Sequence, residues 1–262
     1  MSVAGGSVTS TWLRLREPAD AAARSAELAE RVAALLGAAP VVIHDLGGGS
    51  GAMGRWLAPR LPGSQHWVVH DRDEALLGLA VADPPEGVAV TVDARRSDIT
   101  GLARADLADA GLLVASALLD LLTAAELARM LAACPGCPML LALTVVGRVA
   151  FTPADPLDVA LAAAFDSHQR RGRRLGPDAV ATAVDLLEGT GAEVLVRPSP
   201  WCLDAAHADL TAAWLGGWVA AACEQEPALA GTADSYRDRR LAQLAAGELA
   251  VLVDHADLLV LP

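Results

Sequence analysis

"HDLGGGSGAMGRW", residues 44–56, places five glycines and one acid between an apolar run and a helix-like segment. Glycine forfeits backbone entropy on folding, so such a cluster is useful where the chain must take positive φ or where something approaches the main chain closely. The run before it, Val41-Val-Ile-His44, reads as a short buried strand, and Met53–Leu61 after it reads as a helix stopped near Pro62. The corner is therefore a strand-to-helix turn. In doubly wound sheets ligands lie beyond the carboxyl ends of the strands, where strand order reverses. Free N–H groups at the turn and the start of the next helix favour an anionic group on such a ligand.

Outward from the corner the pattern repeats. Upstream, Ala21–Leu36 carries apolar residues at helical spacing (Leu28, Val32, Leu35, Leu36), with Gly37 placed to end the helix. Downstream, His66–His70 reads as a strand, Glu74–Ala82 as a helix, Val88–Val92 and Gly111–Ser116 as strands. Thr123-Ala-Ala-Glu126 supplies a capping box for a helix to Ala133, and Met139–Val146 makes a fifth strand. Continuous apolar strands alternating with helices imply a parallel sheet covered on both faces. The rhythm then changes. Asp155-Pro156 reads as an N-cap with proline at N1, opening a helix to about Arg170. Pro177 starts another helix, to Glu188, and Ala192–Arg197 is a sixth strand. Helical patterns at Asp204–Cys223 and Thr232–Ala246 follow, and either Glu248–Val253 or Asp257–Leu261 is the last strand.

The 262 residues carry a formal charge of −12, and all 20 basic residues are arginine. That balance argues against nucleic acid, whose phosphates call for a dominant basic face. No apolar run reaches the roughly 18 to 20 residues of a membrane span, and the N-terminus lacks the pattern of a secretory leader. A soluble, cytoplasmic chain without a membrane partner is expected, with the opening MSVAGGSVTS disorder-like. Of four cysteines, Cys134-Pro-Gly-Cys137 forms a C-x-x-C pair, but no second pair completes a zinc tetrahedron. No metal is expected. The arginines at 170, 171, 173 and 174 read as a solvated loop or an anion clamp.

Two parses of the glycine corner compete. Gly49-Ser-Gly51-Ala-Met-Gly54 satisfies G-x-G-x-x-G, with Asp71 roughly twenty residues on, which would suit an NAD-dependent oxidoreductase. The other parse, Asp45-Leu-Gly47-Gly-Gly49-Ser-Gly51, begins with an acid at the strand end. A carboxylate there repels pyrophosphate and attracts an ammonium group, so it selects a zwitterion over a dinucleotide. On this second parse residues 40–147, and more loosely the rest, resemble the class I S-adenosylmethionine (SAM)-dependent methyltransferases.

The resemblance implies a Rossmann-like, doubly wound, mostly parallel seven-stranded α/β sheet with helical cap insertions. SAM is the cofactor it implies. Gly47, Gly49 and Gly51 would line the methionyl and ribose portion, Asp45 would lie near the methionyl ammonium, and Asp71 would accept both ribose hydroxyls. Ser97-Asp98-Ile99 resembles the adenine-edge motif, with Asp98 accepting the exocyclic amine and Ile99 packing on the ring; Ser116 takes the next contact position. Residues 1–37 are expected to form an arm and capping helix, and residues 38–262 the SAM-binding domain, with helical insertions near 151–174 and 201–246.

A sulfonium methyl is an electrophile, so the protein must align a nucleophile and exclude water; a base is needed only for an acceptor that carries a proton. His168, on a stripe with Leu157, Leu161 and Phe165, is the first choice of base, and Asp120, after the fourth strand, the second candidate catalytic residue. Trp12, Arg16, Arg148 and Trp201 are candidates for the acceptor site, and Trp214 and Trp218 are further candidate walls or core. An N-P-P-Y type motif is absent, which points away from nucleobase or glutamine nitrogens. The expected acceptor is an O or N nucleophile of a small molecule, possible in secondary metabolism. The alternatives are the NAD-dependent oxidoreductase and a non-catalytic SAM-binding module.

Overall fold

Helices and strands alternate through the first half of the chain. A computed structural model describes residues 9–87 and 89–262. Two helices, α1 (Ser10–Ala23) and α2 (Ala26–Leu36), precede the sheet. Then come β1 (Val41–Leu46), α3 (Ala52–Leu57), β2 (Gln65–Asp71), α4 (Glu74–Ala82), β3 (Val90–Arg96), β4 (Leu112–Ser116), α5 (Ala124–Ala132) and β5 (Met139–Thr152). The remainder holds α6 (Asp158–Gln169), α7 (Ala179–Glu188), β6 (Glu193–Pro198), β7 (Trp201–Leu203), α8 (Ala208–Gln225), α9 (Ala230–Ala245) and β8 (Ala250–Leu261). The sheet runs β3-β2-β1-β4-β5-β8-β6, with β7 also paired to β8. The first five strands are parallel, and β8 is antiparallel to β5, β6 and β7. Strand order reverses at β1, which puts the glycine corner at the switch point.

The mostly parallel α/β sheet expected from the sequence is present, with eight strands rather than seven. The extra strand, β7, is the short continuation of the β6 segment along β8. Its partner β8 spans both segments expected as alternatives for the last strand. The helix expected over 21–36 is two helices: Ser25 caps α2 through its Oγ, which accepts from Leu28 N, while its own N–H donates to Asp257 Oδ2 at 2.7 Å. That break turns Arg24 inward. The third strand begins at Val90, two residues later than expected, and Val88 lies outside the described residues, as do residues 1–8 of the disorder-like opening. Asp155 and Pro156 precede α6 rather than start it. Asp155 Oδ1 accepts from Leu157 N and Asp158 Oδ2 from Asp155 N, so the helix opens at Asp158.

Three large apolar clusters, and a small one of Val69, Leu77 and Ala80 between β2 and α4, hold these layers among the described residues. One lies under α5 and α7 on one face of the sheet, and one under α2 and α3 on the other. The third joins α1, α6, α8 and α9 over β5, β7 and β8 through Trp12, Phe151, Phe165, Trp201, Trp214 and Trp218. Trp214 and Trp218 are therefore packing residues, and each such ring stabilises the cap by about 1.5–3 kcal/mol or more through area removed from water. Cys134 and Cys137 are free thiols buried between α5 and β5. Among the described residues no helix is long and apolar enough to cross a membrane, and no cluster of His, Cys, Asp or Glu is arranged to hold a metal ion.

Candidate functional site

Asp45 forms the floor of a cavity of about 810 Å³ over the carboxyl ends of β1, β2 and β4, roofed by α1 and by the end of α6. Its carboxylate is fully buried, and neither oxygen has a hydrogen-bond partner. Gly48 makes room for it, since a Cβ at that position would fall 2.6 Å from Asp45 Oδ2. Burial pushes the Asp45 carboxyl up to about 7, against the pull of the Arg24 guanidinium and with some help from Asp71. Arg24, delivered by the α1–α2 break, is itself buried. It donates from Nη2 to Ser116 Oγ at 3.1 Å, while its Nε has no partner. Desolvation lowers its pKa. A buried cation and a buried anion, each with unmet hydrogen-bonding capacity, thus face one cavity.

Asp71 ends β2 and is held rather than free: Oδ2 accepts from Gly49 N at 3.0 Å and Oδ1 from Asp73 N at 2.9 Å. Gly49 adopts φ +54°, which lets the loop present its N–H to that carboxylate, and Gly47 adopts φ +66° beside Leu118. Both line the cavity; Gly51 does not. Its backbone, at φ +82°, packs on Ala80, so it serves the close approach of α3 to α4. Gly54 packs beneath Pro85 and Trp67. The first parse of the corner, G-x-G-x-x-G, therefore does not fit the geometry, since Gly51 and Gly54 face protein and Gly49 donates its N–H to Asp71.

Ser97, Ile99 and Ser116 line the cavity, but Asp98 does not. Its Oδ1 accepts from Thr100 N and Thr100 Oγ1, capping the turn that follows, and these bonds hold its carboxyl below the usual range. The expected amine acceptor is turned to Thr100, and the neighbouring Ser97 lines the cavity.

The far end of the cavity is bounded by Trp12, Leu13, Arg16, Leu118, Leu121, His168, Gln169 and Arg174. Arg16 pairs bidentately with Asp20 at 2.8 and 3.1 Å and lies 5.0 Å over the Trp201 ring. Trp201 donates from Nε1 to Asp20, so it supports Arg16 from behind and does not reach the cavity. Arg148 is also outside. It pairs with Asp254 at 2.6 Å on an exposed strand edge, because β5 runs on as a long antiparallel arm beyond the position where a loop was expected. Asp120 is buried in the 3-10 turn after β4 and does not line this cavity. His168 reaches the cavity from the last turn of α6, its Nε2 3.1 Å from Glu224 Oε2 on α8.

Arg24 and Gln169 are not among the expected site residues, and Ser97 is expected only as the first residue of the adenine-edge motif, with no role of its own. The one available signal was Ser25 followed by the acid Glu27, a helix start that would have broken the long helix just after Arg24.

Neither a family model nor a curated protein matches this chain. Solved structures do. Loganic acid methyltransferase with S-adenosylhomocysteine (SAH) is 12% identical with a TM-score of 0.53, over 94% of this chain and 93% of that one. A cyclopropane synthase from Mycobacterium tuberculosis is 14% identical at 0.49, over 97% and 94%. A SAM-dependent methyltransferase from Geobacter sulfurreducens with SAH is 16% identical at 0.43, over 95% and 98%. Strand order, the switch point at the glycine corner and the first of these likenesses agree that the chain has the class I SAM-dependent methyltransferase fold.

Proposed function

We propose that this protein is a SAM-dependent methyltransferase acting on an O or N nucleophile of a small molecule. The observation that carries the reading is the buried Asp45 carboxylate, unpartnered at both oxygens, beside the Arg24 guanidinium. A buried charge without a partner costs free energy, and an amino-acid zwitterion satisfies both groups at once: ammonium on Asp45, carboxylate toward Arg24. Asp71 is aimed for the diol of a ribose. A diphosphate would meet two carboxylates instead.

SAM, when bound, supplies an electrophilic methyl group on its sulfonium. The chain's own part is to hold the donor by Asp45, Arg24 and Asp71, to keep water out with α1 and α6, and to take a proton where the acceptor has one. His168 is suited to that task. A carboxylate only accepts, so the Glu224 contact makes His168 Nε2 the donor, and Nδ1, buried and without a partner in the protein, is the nitrogen that would take the proton when the ring is neutral. Trp12 and Arg16 bound the acceptor side. The charge of −12 favours a small-molecule acceptor over nucleic acid.

Calorimetry with SAH and with NAD tests the cofactor assignment; binding of NAD in preference to SAH overturns it. Transfer of labelled methyl from SAM to candidate acceptors tests catalysis, and SAH binding without transfer to any of them would favour a binding module. In this series Asp71→Ala weakens SAH binding by more than tenfold, about 1.4 kcal/mol, because two charge-assisted hydrogen bonds to the diol disappear. His168→Ala lowers turnover by roughly 10²-fold or more with SAH affinity unchanged. Unchanged turnover would make His168 structural.

A further inference from the structure

A line of hydrogen bonds crosses the sheet beside the cavity, on the side of β1 away from Asp45. His44 and His70, both fully buried in β1 and β2, meet at 2.9 Å between His44 Nδ1 and His70 Nε2. His44 Nε2 lies 3.0 Å from Asp109 Oδ1 at the surface, and His70 Nδ1 lies 3.0 Å from Ser97 Oγ at the cavity wall.

The direction of every bond in this line follows from its outer end. The Asp109 carboxylate only accepts, so His44 carries its proton on Nε2 and offers a lone pair at Nδ1. His70 must then donate from Nε2, which leaves its Nδ1 as an acceptor for the Ser97 hydroxyl. The competing acceptor for that hydroxyl, Arg95 O, is farther away at 3.4 Å. Both rings are neutral in this arrangement, and burial lowers the pKa of each, His70 to about 4. With its one proton committed inward, Ser97 Oγ has only lone pairs to present to the cavity.

We propose that Ser97, oriented by the Asp109–His44–His70 line, makes this cavity select a purine bearing an exocyclic amine over one bearing a keto oxygen. The inference rests on the donor assignment above. With the methionyl end at β1 and the ribose at Asp71 on β2, the base falls at the end of β3, where Ser97 and Ile99 form the wall and Asp98 is turned to Thr100. An amine donates to the Ser97 lone pairs, whereas a keto oxygen faces them lone pair to lone pair. Ser97 is the contact; His70, His44 and Asp109 are positioning residues.

Calorimetry with SAH and with its deaminated analogue, S-inosylhomocysteine, tests this on the full chain. Wild-type protein is expected to prefer SAH at least tenfold. Ser97→Ala brings the ratio to about one. Asp109→Ala, at an exposed position remote from the cavity, frees the line to reverse its polarity and lowers the ratio at least threefold, partly through tighter binding of the keto analogue. Asp109→Asn retains an acceptor and restores the ratio. Nitrogen-15 imidazole shifts at pH 7 should show both His44 and His70 protonated at Nε2. A wild-type ratio near one, an unchanged ratio in Asp109→Ala, or His70 protonated at Nδ1 overturns the proposal. Failure to bind either ligand would instead sink the donor assignment itself.

Discussion

Asp45→Asn is expected to weaken SAH binding by roughly ten- to a hundredfold and, in the same protein, to raise the stability of the ligand-free fold above pH 7. The first effect is the loss of an ionic acceptor for the ammonium group, about 1.5–3 kcal/mol. The second has the opposite sign because the native carboxylate is buried without a hydrogen bond. Its pKa rises from 3.8 to about 7 on folding, chiefly through desolvation. Between those values the folded state binds more protons than the unfolded one, so stability falls as pH rises. The favourable contribution is complete below pH 3.8 and is lost as pH passes through 7, on the order of 4 kcal/mol at most. Urea denaturation at several pH values reads this directly: the wild-type slope across that window should flatten in Asp45→Asn. Binding is linked to the same proton. Below pH 7 the wild-type affinity for SAH should rise with pH, approaching tenfold per unit, and the variant should show no such dependence. A less stable variant, or one that binds normally, would remove Asp45 from its role.

The strand-end acids and the glycine corner were readable because they are local. A strand's length fixes where its carboxyl end lies, and Asp45, Asp71 and the glycines after Leu46 sit at those ends whatever else the chain does. Arg24 was not readable in this way. It reaches the cavity because Asp257, 233 positions later, accepts from the Ser25 N–H and holds the break between α1 and α2. His44 and His70 read as strand interior, and their mutual bond depends on the parallel register that sets Leu46 opposite His70. Arg148 and Trp201 fell outside because their surroundings are antiparallel. The long β5–β8 pairing with its register shifts carries Arg148 away to Asp254, and the short β7 turns Trp201 under Arg16. Asp98 shows a limit of another kind, since a Thr two residues on offered the carboxylate a local cap that competes with any ligand.

Arg240→Ala is expected to cost about 3–5 kcal/mol in stability. Its side chain is fully buried on α9, donating from Nη2 to Asp158 Oδ1 at 2.5 Å and from Nη1 to Pro153 O at 2.6 Å and Gln243 Oε1 at 3.0 Å. It also lies over the rings of Phe151 and Tyr236, and Tyr236 donates to the same Asp158 oxygen. Removing the guanidinium leaves Asp158 without its cationic partner at the first turn of α6 and opens a cavity under two aromatic rings. The loss should come mostly from the stranded carboxylate. Arg240→Met combined with Asp158→Leu should therefore recover more than half of it, whereas additive losses in the pair would refute the buried ion pair as the clamp. The functional consequence follows from where α6 ends. Its last turn carries His168 and Gln169 to the cavity, while Asp45 and Asp71, the proposed donor-binding residues, stand on the sheet. Well below the unfolding transition, Arg240→Ala should lower turnover and leave SAH affinity within about twofold of wild type. Equal losses in both would mean that the cap and the sheet respond as one unit, and that α6 is not held independently by Arg240.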